Sequence, residues 1–143
     1  MARTTFRKTL SANDVGSTGG HQAGILIPKG EKELLAMLPP LDPGIKNPNV
    51  WLDCVDESGE HRRFKFRYYN NKLHDPTGTR NEYRVTYMTA WFRNLRAQEG
   101  DLFEISKGPE DDRFRVRVIP ASAESPEPST PAQIHLRGWR RVH

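Results

Sequence analysis

The sequence has a single cysteine, Cys54, which excludes an internal disulfide and any zinc site built from several cysteines. It also lacks any apolar run near the ~18 residues that span a membrane, and its basic start lacks the apolar stretch of a secretory signal. We therefore expect a cytoplasmic chain without a membrane partner. Free cysteines usually pack as small apolar residues, so we expect Cys54 to be buried in a strand.

Familiar catalytic motifs are missing as well. The glycine-rich string GSTGGH at 16–21 precedes a strand and lacks a following Gly-Lys-Ser/Thr, so it does not fit a phosphate-binding loop. No Gly-x-Ser-x-Gly elbow occurs, and the five histidines lack metal-ligand spacing. In DLFEISK, the string nearest to a nuclease centre, strand alternation separates Asp101 from Glu104 and favours a solvated edge. We expect no catalytic site, no metal and no cofactor.

Basic residues, by contrast, are in excess. The chain has 143 residues, with 22 Lys and Arg against 18 Asp and Glu and a formal charge of +4. Its length suits about one domain of ~100–150 residues. Much of the positive charge lies in the segments HRRFKFR, RFRVRV and RGWRR. This charge favours a polyanion such as nucleic acid, although a solvated arginine face explains it equally well.

Apolar and charged residues alternate along most of the central chain, which is typical of half-buried β-strands. In HRRFKFRYY, for example, Phe64, Phe66 and Tyr68 share one face. Strands are predicted at 6–10, 24–28, 50–55, 61–69, 83–87, 101–106 and 113–119. Short helices are predicted within 30–40 and within 89–100, the second with Thr89 as its cap. The fold class is therefore mainly β, with seven strands in a barrel or sandwich and two short helices.

The composition changes after Pro120. The string PASAESPEPSTPAQ is rich in proline, serine and glutamate, which is typical of a linker. We predict a barrel domain at 1–119, a linker at 120–132, and a basic tail at 133–143 that leads to a domain missing from this chain.

Two polar segments carry the candidate chemistry. The first is LSANDVGSTGGHQAG, which joins glycines to short hydrogen-bonding side chains; the second is GTRNEYR. A surface that only grips phosphate should avoid carboxylates, whereas mixed Arg, Asn and Glu side chains match the donors and acceptors of base edges in the major groove. The alternative is a purely structural role, in which Arg80, Glu82 and Arg84 form a local salt-bridge cluster. Composition alone does not decide between the two.

These strings resemble a known family. The run SANDVGSTGGHQ, followed by YYNNKLHDPTGTRNEYRVT, resembles the amino-terminal effector domain of EcoRII-like type IIE restriction endonucleases and, more distantly, plant B3-type DNA-binding domains. The resemblance covers about residues 8–119. It implies a seven-stranded, B3-like pseudobarrel whose two arms, at about 8–22 and 79–84, grip double-stranded DNA in the major groove. It also implies a short site such as 5′-CCWGG and a nuclease domain elsewhere in the full-length protein.

The resemblance and the residue chemistry together give one set of DNA-binding candidates: Lys8, Ser11, Asn13, Asp14, Ser17, Thr18, His21, Gln22, Lys65, Arg67, Arg80, Asn81, Glu82 and Arg84. Lys65 and Arg67, with Arg93 and Arg96 outside this set, are weaker candidates for phosphate contacts, and a solvated basic face is the equal alternative for these four residues. Some side chains of the first arm are expected to hold its shape rather than touch DNA. Gly78 and Tyr83 stand where the family has lysines, which removes positive charge from the second arm.

Three other functions compete with sequence-specific duplex binding without catalysis. The first is a complete small Mg²⁺-dependent nuclease. The second is a protein-interaction barrel that uses tryptophan and arginine, including Trp139 in the tail, without binding nucleic acid. The third is single-stranded DNA or RNA binding, which needs exposed aromatic side chains, whereas the alternation directs the aromatics into the core.

Overall fold

A computed structural model describes residues 3–16, 24–121 and 138–142. In these ranges eight strands and four short helices follow one another along the chain. They are β1 Thr4–Thr9, α1 Ala12–Val15, β2 Ile25–Ile27, α2 Lys32–Met37, β3 Asn49–Val55, β4 His61–Tyr69, α3 Asn71–His74, β5 Glu82–Thr86, α4 Thr89–Leu95, β6 Leu102–Lys107, β7 Phe114–Ile119 and β8 Trp139–Arg141.

All eight strands belong to one curled sheet with the order β2-β5-β4-β3-β7-β6-β1-β8. Every neighbouring pair is antiparallel except β3 and β7, which run parallel. The two edge strands approach each other, because the indole Nε1 of Trp139 in β8 donates to the Leu26 carbonyl in β2 at 2.9 Å. The mainly β, barrel-like fold predicted from the sequence is confirmed.

The core follows the predicted alternation. In β4, Phe64, Phe66 and Tyr68 are buried, and so are Phe114, Val116 and Val118 of β7. Cys54 is also buried in β3, as expected. Burial and the neighbouring Asp53 charge raise the pKa of the Cys54 thiol to about 12, so the thiol stays protonated at neutral pH.

The number of strands was underestimated. The eighth strand, β8, pairs with β1, and the Val142 amide donates to the Thr5 carbonyl at 2.8 Å. Trp139 is only 7% exposed and packs in the core, so its proposed role on an interaction surface is wrong. A three-residue strand is too short to show a period, which is why the sequence did not reveal it. Most of the predicted linker lies outside the described residues.

The helices also differ from the prediction. α2 and α4 lie within the predicted ranges, but α1 and α3 are single turns of four residues that carry no detectable period. In α4 the cap position is Met88 rather than Thr89, and the helix ends at Arg96, whose φ of 55° is left-handed. None of the helices described here is both long and apolar enough to cross a membrane.

Glu104 in β6 is not at a solvated edge, contrary to the expectation. Its carboxylate is buried and accepts hydrogen bonds from Arg7 Nε at 2.9 Å and Arg117 Nε at 2.6 Å. Burial by itself raises the pKa of Glu104, but the hydrogen bonds and charges of the two arginines outweigh it and hold the pKa below the usual value. This carboxylate therefore links three strands as an ion.

Candidate nucleic-acid interface

The amino-terminal arm is the chain between β1 and β2, and the structure describes it up to Gly16 and again from Gly24. Ser11 caps α1: its side chain accepts from the Asp14 amide at 3.1 Å, and Asp14 Oδ2 accepts from the Ser11 amide at 3.0 Å. Lys8 Nζ lies 2.6 Å from the same carboxylate oxygen, and both side chains are nearly buried. This reciprocal set fixes the first turn of the arm.

The arm therefore contains two kinds of candidate residue. Lys8, Ser11 and Asp14 are engaged with one another and hold the shape of the arm, as some of its residues were expected to do. Asn13 lies on the exposed side of α1. The other candidates, Ser17, Thr18, His21 and Gln22, lie outside the described residues.

The carboxy-terminal arm, residues 79–84, follows the end of β4 and α3 and leads into β5. Its base is fixed by Asn70, a fully buried residue that the sequence did not single out. Asn70 and Asn47 exchange two hydrogen bonds, of 3.0 and 2.6 Å, between the amide of each residue and the side-chain oxygen of the other. The Asn70 side chain also donates to the Ile45 carbonyl at 2.8 Å. Because these partners lie more than 20 residues away in sequence, no local pattern could indicate them.

The tip of this arm folds back on α3. The Asn71 side chain accepts from the Arg80 amide at 2.8 Å, and the Lys72 amide donates to the Arg80 carbonyl at 3.0 Å. The chain at Gly78 passes so close that an added Cβ would lie 2.2 Å from the Asn71 carbonyl oxygen. The backbone path at this position therefore leaves no room for a side chain.

The arginine and glutamate candidates form one ion-pair cluster. Glu82 accepts from Arg80 Nε at 3.2 Å and from Arg84 Nε at 2.6 Å. Partial burial by itself raises the pKa of Glu82. The hydrogen bonds and charges of Arg84, and to a lesser extent of Arg80, outweigh this effect, so the pKa lies below the usual value. The salt-bridge cluster that the sequence offered as the structural alternative is therefore present without DNA.

Two aromatic side chains support this cluster from the neighbouring strand. The Arg80 guanidinium lies 3.9 Å from the centre of the Tyr69 ring. The Tyr68 hydroxyl donates to the side-chain oxygen of Asn81. The side-chain oxygen of Asn81 thus accepts a hydrogen bond from Tyr68, whereas its side-chain nitrogen can donate to a base edge.

Arg84 connects the described parts of the two arms. Arg84 Nη1 donates to the Gly24 carbonyl at 3.0 Å, where the amino-terminal arm enters β2. Gly24 has a φ of +83°, and an added Cβ would lie 2.0 Å from the Val85 carbonyl oxygen. The two arms therefore end at fixed points on the adjacent strands β2 and β5.

The basic candidates Lys65 and Arg67 lie on the outward face of β4. Arg67 pairs in register with Arg84, and Lys65 pairs with Thr86. The Nε of Arg67 is buried and has no hydrogen-bond partner among the described residues. Arg93 and Arg96 are exposed near the end of α4. The basic face therefore continues from the second arm along the sheet.

The aromatic side chains are not all in the core, which corrects the expectation from alternation. Trp51 is 39% exposed and Tyr87 is 62% exposed. Trp51 lies at an outward position of β3, and Tyr87 directly follows β5. No group of three or more His, Cys, Asp or Glu is arranged to hold a metal ion within the described ranges.

Residues 2–123 match the family model described as "Restriction endonuclease EcoRII, N-terminal". The chain belongs to this family. Among curated proteins, the type II restriction enzyme EcoRII of Escherichia coli is 38% identical over an alignment of 101 residues, and the match covers 64% of this chain. The match covers 23% of the relative, so the chain spans less than a quarter of the length of that enzyme.

A solved structure described as "Arabidopsis FUS3-DNA complex" has a similar fold. It aligns with a TM-score of 0.62 at 21% identity, and the alignment covers 82% of this chain and 98% of that chain. The similarity confirms a B3-like fold for this chain. The resemblance inferred from the sequence strings is confirmed as well. The individual contact residues remain predictions.

Proposed function

We propose that this chain is the sequence-specific recognition domain of a type II restriction endonuclease and binds a short duplex site such as 5′-CCWGG. The observation that carries this proposal is the ion-pair cluster of Arg80, Glu82 and Arg84 in the carboxy-terminal arm, which Arg84 links to the amino-terminal arm at Gly24. The similarity to a type II restriction enzyme and to a protein solved as a DNA complex supports the same function.

The internal pairing of the cluster suits base reading. Arginine can donate two hydrogen bonds to guanine, and glutamate can accept from the amino group of cytosine. Because its pKa is lowered, Glu82 is ionised at neutral pH and keeps its acceptor character. The ion pairs and Tyr69 hold the side chains in place before DNA binds, which reduces the entropy lost on binding. The same three side chains then form a salt-bridge cluster without DNA and contact base edges when DNA is bound.

The outward face of β4 provides the sequence-independent part of binding. Lys65 and Arg67 extend the positive charge away from the arms and are placed to meet phosphates. These contacts position the duplex without selecting its sequence.

We also propose that cleavage requires a nuclease domain supplied by the rest of a longer protein. The relative EcoRII is about four times longer than the matched region, which leaves room for that domain. Incubation of the purified chain with cognate duplex and Mg²⁺ tests this directly. Strand cleavage that disappears in EDTA would establish the alternative of a complete small nuclease.

The decisive experiment compares Glu82→Gln with Glu110→Gln, a matched control at an exposed position outside both arms. Binding of a CCWGG duplex and of a scrambled duplex is measured by fluorescence anisotropy. We expect Glu82→Gln to lose about 1–3 kcal/mol of discrimination, with scrambled-site affinity unchanged or raised, and Glu110→Gln to behave like the parent. Equal losses on both duplexes would argue against base reading. Selection from a random duplex pool identifies the target if CCWGG is not preferred.

A further inference from the structure

An exposed aromatic pair lies on the outward face of the sheet, apart from both arms. The ring centres of Trp51 and Tyr87 are 5.2 Å apart. Lys65 Nζ lies 4.7 Å from the Trp51 ring centre and 5.9 Å from that of Tyr87, and the Arg63 guanidinium lies 4.8 Å from Trp51. We call these four residues the aromatic patch. Duplex reading by the arms gives the two rings no role.

The backbone at Tyr87 is a second sign of function. Its φ of 68° is in the left-handed region, which bulky side chains rarely adopt and where glycine or asparagine is usual. Backbone strain of this kind concentrates at functional sites. Here it places a large aromatic side chain in solvent rather than in the core.

A groove adjoins the patch. It has a volume of about 410 Å³ and is lined by Arg67, Tyr69, Thr86, Tyr87, Thr89 and Ala90. The buried, unpartnered Nε of Arg67 lies on a side chain that lines this groove. A cationic wall beside exposed rings calls for a ligand that carries both negative charge and flat surfaces.

Chemistry distinguishes the possible occupants. A duplex buries its base faces by internal stacking, so its backbone uses the cations but not the rings. A dry protein interface would have to desolvate the Lys65 ammonium at the centre of the patch, and lysine is depleted in such interfaces. A single strand offers phosphates for the cations and unpaired bases for the rings.

We propose that the aromatic patch and the adjoining groove bind single-stranded DNA. Bases stack on Trp51 and Tyr87, while phosphates meet Lys65, Arg63 and Arg67. This activity goes beyond duplex recognition and does not rest on it, although Lys65 and Arg67 serve both. Trp51 and Tyr87 therefore decide the test.

The first experiment measures the affinity of the full chain for labelled oligothymidine and, separately, for a CCWGG duplex. Trp51→Ala and Tyr87→Asn each remove a ring, and asparagine tolerates the positive φ at 87. We expect oligothymidine binding to weaken about tenfold in each variant, with duplex affinity unchanged. Leu95→Ala is the matched control, because Leu95 is also a large exposed side chain but lies on α4. It should change neither affinity.

The second experiment uses tryptophan fluorescence and does not depend on loss of binding. Trp91 and Trp139 are 3% and 7% exposed, so quenching by oligothymidine should come from Trp51 alone. Trp51→Phe keeps a stacking ring, and we expect it to retain binding while the quenching disappears. Circular dichroism checks the fold of every variant.

Several outcomes would overturn the proposal. These are no binding of oligothymidine by the parent chain, equal quenching in Trp51→Phe, or equal affinities of Trp51→Ala and Leu95→Ala for oligothymidine. Equal losses on duplex and single strand would instead make the patch part of the duplex surface. A scrambled duplex measured beside the CCWGG duplex gives the duplex preference separately, so failure of single-strand binding is distinguishable from failure of the recognition function.

Discussion

Arg84 holds Gly24 and Glu82 at the same time: Nη1 donates to the Gly24 carbonyl at 3.0 Å and Nε to the Glu82 carboxylate at 2.6 Å. The first bond reaches the amino-terminal arm, and the second lies within the carboxy-terminal arm. One guanidinium thus fixes the relative position of the two proposed reading elements. Arginine suits this role because its donors form a rigid fork, which lysine does not offer.

Arg84→Lys tests this connection. The variant keeps the charge but cannot donate to both partners in the same geometry. We expect the free energy of unfolding to fall by about 1 kcal/mol, and affinity for a CCWGG duplex to fall more than affinity for a scrambled one. Urea unfolding and duplex titration measure the two effects. Retained discrimination with lowered stability would leave Arg84 as a purely structural link.

Gly24 makes the same region sensitive to a single methyl group. A Cβ there would lie 2.0 Å from the Val85 carbonyl oxygen, and the φ of +83° disfavours any other residue. We expect Gly24→Ala to destabilise the chain by more than about 1 kcal/mol. Gly30→Ala is the control, since nothing lies within 4 Å of an added Cβ at that position. Similar unfolding midpoints for the two variants would contradict this account.

The sequence predicted the elements that have a period. Alternation along β4 assigned Phe64 and Phe66 to the core, and the motif strings led to both arms. The sequence did not predict β8, because a strand of three residues is too short to show a period. It did not predict the role of Asn70 either, because the hydrogen-bond partners of Asn70 lie in the distant 43–47 loop. The capping box of Ser11 and Asp14 was readable in principle, because the two side chains are three residues apart.

Acid should weaken the fold through Glu104. Its folded pKa lies below the usual 4.5, so its contribution to stability is complete above that pH and is lost as the pH falls through the folded value. Glu82 acts with the same sign. We expect Glu104→Gln to be less stable than the parent at pH 7 and to lose less stability between pH 5 and pH 3. Urea unfolding across this range measures both, with Glu110→Gln as the exposed control. An unchanged acid slope in Glu104→Gln would show that other groups dominate.

The contact between Trp139 and Leu26 predicts how the barrel responds when its last strand is altered. Trp139 fills part of the core and joins the two edge strands through its indole nitrogen. Trp139→Phe keeps much of the ring but removes the donor, so we expect a loss of about 1 kcal/mol. Trp139→Ala also leaves a cavity, and its cost should rise to about 3–5 kcal/mol. A chain ending at residue 121 should resemble the alanine variant, because it lacks the same side chain together with the pairing of β8 and β1. If that shortened chain unfolds at the same urea concentration as the parent, β8 contributes nothing to the barrel and the predicted domain end at 119 is the better boundary.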